Sequence, residues 1–129
     1  MENVHRKLEA YMSSRYIHDE DCKKISIAVD EILSNIIYYG FEDQQEHSIA
    51  LQLTTTAQDI TLEFSDDGKY FNPLEYIRQH KYMLQEDKAG GLGLGLVHKI
   101  AEVMHYDRIE NKNILTLSIP YRHSAAFTK

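Results

Sequence analysis

The sequence predicts an α+β fold: a two-layer sandwich in which a mixed or antiparallel sheet carries helices on one face. Two stretches near the start of the chain repeat their apolar residues at helical spacing, whereas two stretches in the middle alternate apolar and polar residues as strands do. A third helical pattern and two more strands follow. Because the strands are joined by short links and do not alternate strictly with helices, an antiparallel or mixed sheet is expected.

The first helix is predicted over residues 3–14, and the second begins at the acidic run Asp19-Glu20-Asp21. Acidic side chains suit the positive end of a helix, and glycine commonly ends one, so the second helix should run to about Tyr39 and stop at Gly40. Its apolar face contains Ile25, Val29, Ile32, Leu33 and Ile36.

Two strands joined as a hairpin come next. Alternation places three apolar residues on one face of each strand: Ile49, Leu51 and Leu53 in the first, and Ile60, Leu62 and Phe64 in the second. The polar link at residues 56–59 is short enough for an antiparallel pair. Residues 66–73 break the pattern as a turn, and residues 74–89 are expected to form a short helix and a mobile loop.

The last third of the chain begins with a glycine-rich run at residues 90–95. It leads into an apolar helical pattern that reaches Met104. Two strands near residues 106–110 and 113–120 then complete the sheet, joined through Asn111-Lys112-Asn113.

The composition suits a single domain over residues 1–129 in the cytoplasm. No apolar run is long enough to span a bilayer or to serve as a signal peptide, and the one cysteine excludes an internal disulfide. Twenty acidic against fourteen basic residues give a net charge of −6. We therefore expect no nucleic acid and no membrane surface as a partner, although a few local dipoles can still hold one anionic ligand.

The first group of residues suited to chemistry is Glu31, Asn35 and Tyr39, which are spaced by four along the second helix. This spacing stacks their side chains along one stripe at the margin of the apolar face. There a carboxylate can accept a proton, and an amide oxygen can join a magnesium shell. The same pattern is also typical of the solvated side of an amphipathic helix.

The second group is Asp66-Asp67-Gly68, at the end of an alternating strand. A carboxylate at this place can accept a hydrogen bond from an exocyclic amine, and a glycine lets the backbone pass close to a flat ring. A plain Asp-Gly turn is equally typical of strand ends.

The third group is the glycine run, which holds four of the six glycines of the chain directly before a helix. Exposed main-chain N–H groups and the helix dipole would converge there, as in a phosphate site. The run is not a Walker A loop, because no Gly-Lys-Ser/Thr ends it. A flexible loop at a tight helix start is the alternative.

The order of these groups resembles the GHKL ATPases and, within them, the anti-sigma-factor serine/threonine kinases. The matching stretches are AVDEILSNIIYYGF, DDGKYFNPLEY and GGLGLGLVHKIAEVMHYDRIENKNILTLS, within residues 20–120. The resemblance implies ATP and Mg²⁺ as ligands, with residues 74–90 as the ATP lid. It also implies a homodimer, a STAS-type anti-anti-sigma protein as the phosphorylated partner and a sigma factor as the sequestered one.

The resemblance assigns roles to single positions as well. It makes Glu31 the general base and Asn35 a ligand of magnesium. It assigns Asp66 to the adenine amine and Gly68 to the space beneath the base. Nucleotide contacts elsewhere are implied for Gly91, Gly93, Leu94 and Gly95 at the phosphate loop, and for Thr116, which would support adenine through the aspartate and a water.

The sequence departs from the family pattern at two places. Relatives begin with a strand, whereas this chain begins almost directly with a helix, and they tend to have Gly or Pro where it has Tyr70. A ring at that position is expected to reshape the base pocket or to pack under the lid. Two alternatives to a kinase stay open: an ATP-dependent binding module without useful catalysis, and a relative of a histidine kinase's catalytic domain.

Overall fold

The computed structural model describes residues 2–40, 47–80 and 92–124. Its α-helices are α1 (Glu2–Ser14), α2 (Asp19–Asn35), α3 (Pro73–Gln79) and α4 (Leu92–Ile100), and its strands are β1 (Ile49–Thr55), β2 (Asp59–Asp66), β3 (Val103–Ile109) and β4 (Lys112–Pro120). A π-helical turn, Ile36–Gly40, extends α2, so this helical segment ends at Gly40 as the sequence predicts.

The four strands form one sheet in the order β1-β2-β4-β3, and every neighbouring pair is antiparallel. The pairing joins β1 to β2 and β3 to β4 as hairpins, with β2 and β4 side by side in the centre. This confirms the predicted α+β class and the antiparallel alternative for its sheet.

One face of the sheet carries the core. In β2, Ile60, Leu62 and Phe64 are fully buried, and they pair with Ile119, Leu117 and Leu115 of β4. The buried apolar residues of α1, α2 and α4 join the same cluster. Because successive side chains of a strand point to opposite faces, the other face carries the intervening and more polar residues, such as Thr61, Glu63 and Ser65.

The start of α2 is tied to the last described residues by a partly buried ion pair. Asp21 is 4% exposed, and its carboxylate accepts hydrogen bonds from the main-chain N–H and the guanidinium of Arg122. Burial alone would raise the pKa of Asp21, but the hydrogen bonds and charge of Arg122 outweigh it and hold this pKa below its ordinary value. This contact joins the start of α2 to the segment that follows β4.

The sequence predicts a helical pattern as far as Met104 and a link at residues 111–113, and both bounds are wrong. The helix ends at Ile100, and Met104 lies on the core-facing side of β3, opposite Leu117. The turn between β3 and β4 consists of Glu110 and Asn111, which both have positive φ, as a tight two-residue hairpin requires. Residues 112 and 113 therefore belong to β4 and not to the link.

Within the described ranges, no helix combines the length and the apolar character needed to cross a membrane.

Candidate functional site

A cleft opens between the end of α2, the start of α4 and one end of the sheet. Counted together with the open solvent at its mouth, the empty space of this cleft is about 380 Å³. Its lining combines apolar side chains with a small number of polar groups, as ligand sites do. The lining residues are Ile32, Asn35, Ile36, Gly40, Asp66, Phe71, Pro73, Leu94, Tyr106, Asn113 and Leu115.

At one end of the cleft, Asp66 closes strand β2 with a carboxylate that is 4% exposed. Its Oδ1 accepts a hydrogen bond from the Gly68 main-chain N–H at 2.9 Å and another from Asn113 Nδ2 at 3.0 Å. We call this group, together with Gly40, the aspartate end. The structure thus places a buried and well-anchored acceptor on the wall of an apolar cleft.

Gly68 is needed here for a packing reason. A Cβ at this position would lie 2.8 Å from the carbonyl oxygen of Gly40, so the π-helical turn and the loop after β2 touch through their backbones. The same carbonyl accepts a hydrogen bond from the Lys69 N–H at 3.0 Å. Gly68 is not among the residues that line the cleft. The close approach of two main chains accounts for this glycine.

Glu31, Asn35 and Gly93 come together where α4 packs on α2, at a place that we call the glutamate end; of the three, Asn35 lines the cleft. Asn35 donates a hydrogen bond from Nδ2 to the Glu31 carbonyl one turn earlier, at 2.6 Å. The NH₂ group keeps one further hydrogen, and the amide oxygen is the atom with which Asn35 can bind a cation. Both side chains are half-buried.

Gly93, in the first turn of α4, packs directly against the Glu31 carboxylate. A Cβ at position 93 would overlap Oε2 of that side chain. Residues 93 and 31 are far apart in the sequence, and the packing of α4 on α2 brings them into contact. A larger residue at position 93 would displace the Glu31 carboxylate, which is the end of a flexible side chain.

The other site residues predicted in the glycine run are Gly91, Leu94 and Gly95, and the structure describes two of them. Leu94 is fully buried and lines the cleft, whereas Gly95 is half-buried within α4. Gly91 lies outside the described residues, as do residues 81–90 of the predicted lid. The short helix expected before that loop is α3.

An aromatic cluster supports the cleft from behind. Tyr39 stacks on Phe71 with ring centroids 4.8 Å apart, and its hydroxyl donates to the Tyr76 hydroxyl at 3.3 Å. The hydrogen bond to Tyr76, together with burial, raises the pKa of Tyr39 to about 12. Tyr39 follows Glu31 and Asn35 along the same side of the helix. It supports Phe71, which lines the cleft, by packing against its ring.

The placement predicted for Thr116 is wrong. Thr116 pairs with Glu63 on the face of the sheet opposite the cleft. Since side chains alternate along a strand, a position an odd number of residues away from Asn113 cannot reach the same face. Asn113 is the β4 residue opposite Asp66, and sequence reasoning missed it because Asn111-Lys112-Asn113 has the composition of a turn.

Tyr70 does not enter the cleft. Its ring is 52% exposed and meets the ring of Tyr106 edge-on, and its hydroxyl donates to Glu75 Oε1 at 2.8 Å. Tyr106 in turn lines the cleft and donates a hydrogen bond to Asn113. The ring of Tyr70 therefore contacts Tyr106, a residue of the cleft lining, without lining the cleft itself.

Comparison with known proteins places this geometry in a family. The family model for the histidine kinase-like ATPase domain matches residues 1–119. The chain belongs to the histidine kinase-like ATPase family. This agrees with the GHKL resemblance. Asn35, Asp66 and Leu94, one residue from each of the three motif groups, line the cleft.

One curated relative is the serine/threonine-protein kinase BtrW of Bordetella bronchiseptica. It is 28% identical over 102 residues, which cover 78% of this chain and 70% of the relative. The solved catalytic domain of the histidine kinase ThkA has a TM-score of 0.57 at 16% identity and covers 92% of this chain and 90% of that domain.

The histidine kinase domain of a blue-light-activated kinase from Erythrobacter litoralis EL346 also has a TM-score of 0.57, at 19% identity. The match covers 78% of this chain but only 45% of that structure. At these identities, both structures support the fold alone.

Proposed function

We propose that this protein is an ATP-dependent serine/threonine protein kinase that regulates a partner protein, and that the cleft is its nucleotide site. The observation that carries the proposal is one cleft that has the acid Asp66 in its lining and a second acid, Glu31, one helical turn before the lining residue Asn35. Asp66 is buried and anchored, whereas Glu31 lies against the start of α4. Membership of the histidine kinase-like ATPase family supports nucleotide binding at this place.

The lining of the cleft suits a purine nucleotide. Leu94, Leu115 and Ile36 offer apolar surface for a flat base, and Asp66 offers an acceptor for its exocyclic amine. The start of α4 presents main-chain N–H groups without intrahelical partners, which favour phosphate oxygens. Base and phosphates would thus lie between the aspartate end and the glutamate end.

Mg²⁺ fits the glutamate end as a companion of the nucleotide. The amide oxygen of Asn35 is a hard oxygen ligand of the kind that this ion takes, and the metal typically keeps one or two protein ligands beside phosphates and water. When bound, it would neutralise part of the phosphate charge. Among the described residues, no group of three or more His, Cys, Asp or Glu side chains could hold a metal without the nucleotide.

Glu31 would act as the general base. The hydroxyl oxygen of a serine or threonine on the partner forms a bond to the γ-phosphorus, and the bond from that phosphorus to the bridging oxygen of ADP breaks. The hydroxyl proton passes to the Glu31 carboxylate. Gly93 leaves room for this carboxylate, and main-chain N–H groups at the start of α4 stabilise the charge on the phosphates.

The relative named as a serine/threonine-protein kinase supports the choice of a hydroxyl acceptor. The family resemblance suggests a STAS-type anti-anti-sigma protein as that acceptor, a sigma factor as the second partner and a homodimer as the active assembly. A cytoplasmic location, which the composition of the sequence predicts, belongs to the same proposal.

The deciding experiment is the transfer of labelled γ-phosphate from ATP to proteins of a native-host extract, with wild type beside Glu31→Gln. We expect wild type alone to label one small acceptor on serine or threonine, while both proteins bind ATP. Asp30→Asn, the neighbouring acid on α2, is the matched control and should label as wild type does. Labelling by Glu31→Gln at the wild-type rate would contradict the role of Glu31.

Two other outcomes would replace the kinase proposal. ATP binding without any transfer by wild type would favour a nucleotide-gated binding module. Label that is lost on acid treatment would favour phosphohistidine, as expected of a histidine kinase relative, because phosphoserine survives that treatment.

A further inference from the structure

The sheet has two edge strands, β1 and β3, and they differ in how well they are protected against pairing with a further strand. Charged side chains, proline and bulges are the usual means by which an edge strand avoids such pairing. β3 carries the charged residues Asp107 and Arg108, whereas β1 has no charged residue and no proline. The seven residues of β1 also pair with β2 in unbroken register. β1 is therefore the edge that can accept another strand.

The hydrogen bonds of the hairpin show which main-chain groups of β1 point outward. The Thr56 N–H donates to the Asp59 carbonyl at 2.9 Å, which makes these two residues a hydrogen-bonded pair. Hydrogen-bonded and non-hydrogen-bonded pairs alternate along antiparallel strands. Within the described ranges, no backbone hydrogen bond from outside the hairpin reaches the outward groups. Counted back from Thr56, the residues whose N–H and C=O groups point away from β2 are Ile49, Leu51, Leu53 and Thr55.

The side chains of the same residues leave the core open at this edge. Leu51 and Leu53 point to the core side of the sheet but are only half-buried. Their partners on β2, Phe64 and Leu62, are fully buried. A strand beside β1 with apolar side chains at alternate positions would remove the half-buried row from water. Main chain and side chains thus suit the same ligand, an extended segment with alternating apolar residues.

The two ends of β1 carry opposite charges. At the Thr55 end, the exposed Arg15 of α1 donates from Nε to the Thr55 hydroxyl at 3.1 Å. At the Ile49 end, Asp67 is 47% exposed and lies 3.1 Å from Nδ1 of His47. An antiparallel segment would begin beside Arg15 and end beside Asp67. An acid at its amino end and a base at its carboxyl end would therefore complement the charges of this edge.

We propose that β1 is a docking edge for an extended segment of a partner protein, which adds to the sheet as a further antiparallel strand. The segment has alternating apolar residues, an acid at its amino end and a base at its carboxyl end. A second copy of this chain suits the edge less well, because two copies with a net charge of −6 each repel one another. β1 contributes no residue to the lining of the cleft, so the segment and a nucleotide can bind together.

The probe is the synthetic peptide acetyl-Asp-Thr-Val-Thr-Val-Thr-Val-Lys-amide, titrated into the full chain by calorimetry. Its valines would lie opposite Leu53, Leu51 and Ile49 and turn their N–H groups toward β1. Methylation of the three valine nitrogens should weaken binding at least about 10-fold, because it removes three hydrogen-bond donors. Methylation of the three threonine nitrogens is the matched control. Those nitrogens face away from β1, so this peptide should bind as the unmodified one does.

A pair of protein variants tests the same edge. Leu51→Lys places a charge in the half-buried row and should abolish peptide binding. Val103→Lys places the same charge at an exposed position of the other edge strand, and it should bind the peptide as wild type does. Thermal unfolding shows whether both variants are folded. The methylated peptides keep the test valid if Leu51→Lys is not, because they use the wild-type protein.

Three results would overturn the proposal. One is the absence of peptide binding by wild type at about 1 mM, and another is equal affinity for the two methylated peptides. The third is a wild-type dimer that Leu51→Lys dissociates, because a second copy would then occupy β1. Sedimentation of both proteins detects that dimer.

Discussion

The aspartate end and the glutamate end are built in different ways. At the aspartate end, Asp66 and Asn113 are buried and joined to each other and to the surrounding backbone by hydrogen bonds. At the glutamate end, Glu31 and Asn35 are half-buried, and one hydrogen bond, from Asn35 to the main chain, joins them. One end is held by a polar network and the other mainly by the packing of two helices.

This difference fits two different tasks. A group that selects a base has to be fixed before the ligand arrives, because orientation that is already established costs nothing on binding. A group that takes a proton during a reaction has to be close to the reacting atoms, and packing such as that of Gly93 on Glu31 determines its position. We therefore expect substitutions at the aspartate end to lower protein stability and nucleotide affinity. Substitutions at the glutamate end should lower the rate of phosphoryl transfer.

The largest effect should come from Gly93→Ala. The added Cβ would overlap the Glu31 carboxylate and displace it, and a displacement of about 1 Å can cost roughly 100-fold in rate. We expect phosphoryl transfer to fall by about that factor while thermal stability changes little. Single-turnover transfer and thermal unfolding measure the two quantities.

The control for this prediction is Lys99→Ala, an exposed position in the last turn of α4. It should transfer phosphate at the wild-type rate. Equal rates for Gly93→Ala and wild type would show that the contact with Glu31 does not position the acid.

A smaller effect is expected from Gly68→Ala at the aspartate end. The new Cβ would lie 2.8 Å from the Gly40 carbonyl oxygen, and neither backbone can move away easily. Overpacking of this kind costs about 1–3 kcal/mol of unfolding free energy. Gly40→Ala is the matched comparison, because among the described residues its Cβ would meet nothing closer than 3.8 Å. Urea unfolding of both variants should show a loss for Gly68→Ala only, and equal losses would contradict the packing argument.

The smallest effect concerns Tyr39 behind the cleft. Its pKa is raised from 10.0 to about 12 in the folded protein, so the folded state keeps a proton that the unfolded state releases. The resulting stabilisation is complete below pH 10 and is lost as the pH rises toward 12. Tyr39→Phe should lose about 1 kcal/mol of unfolding free energy at pH 9, because the hydrogen bond to Tyr76 is gone.

The difference between Tyr39→Phe and wild type should then shrink between pH 10 and 12 in urea unfolding experiments. Tyr38→Phe, at an exposed neighbouring ring, serves as the control and should stay within about 0.5 kcal/mol of wild type. A difference that stays constant with pH would mean that Tyr39 does not hold its proton in this way.

Local pattern determined most of the framework of this protein. The period of the apolar residues predicted α1, α2 and the hairpin of β1 and β2, since each of these elements buries one face. The order of the three motif groups indicated the family, and the family model agrees with it. Local pattern also singled out Asp66 and Asn35, which line the cleft, and Glu31 and Gly93, which meet beside it. The family resemblance added Leu94, which also lines the cleft.

Only the tertiary structure decided which side chain stands behind Asp66. Asn111-Lys112-Asn113 has the composition of a turn, and only the register of β4 against β2 and β3 places Asn113 on the cleft face and Thr116 on the other. Shifting a strand by one residue exchanges its faces, and register depends on pairing between distant segments that no local pattern contains. The contact of Gly93 with Glu31 depends in the same way on the packing of α4 against α2.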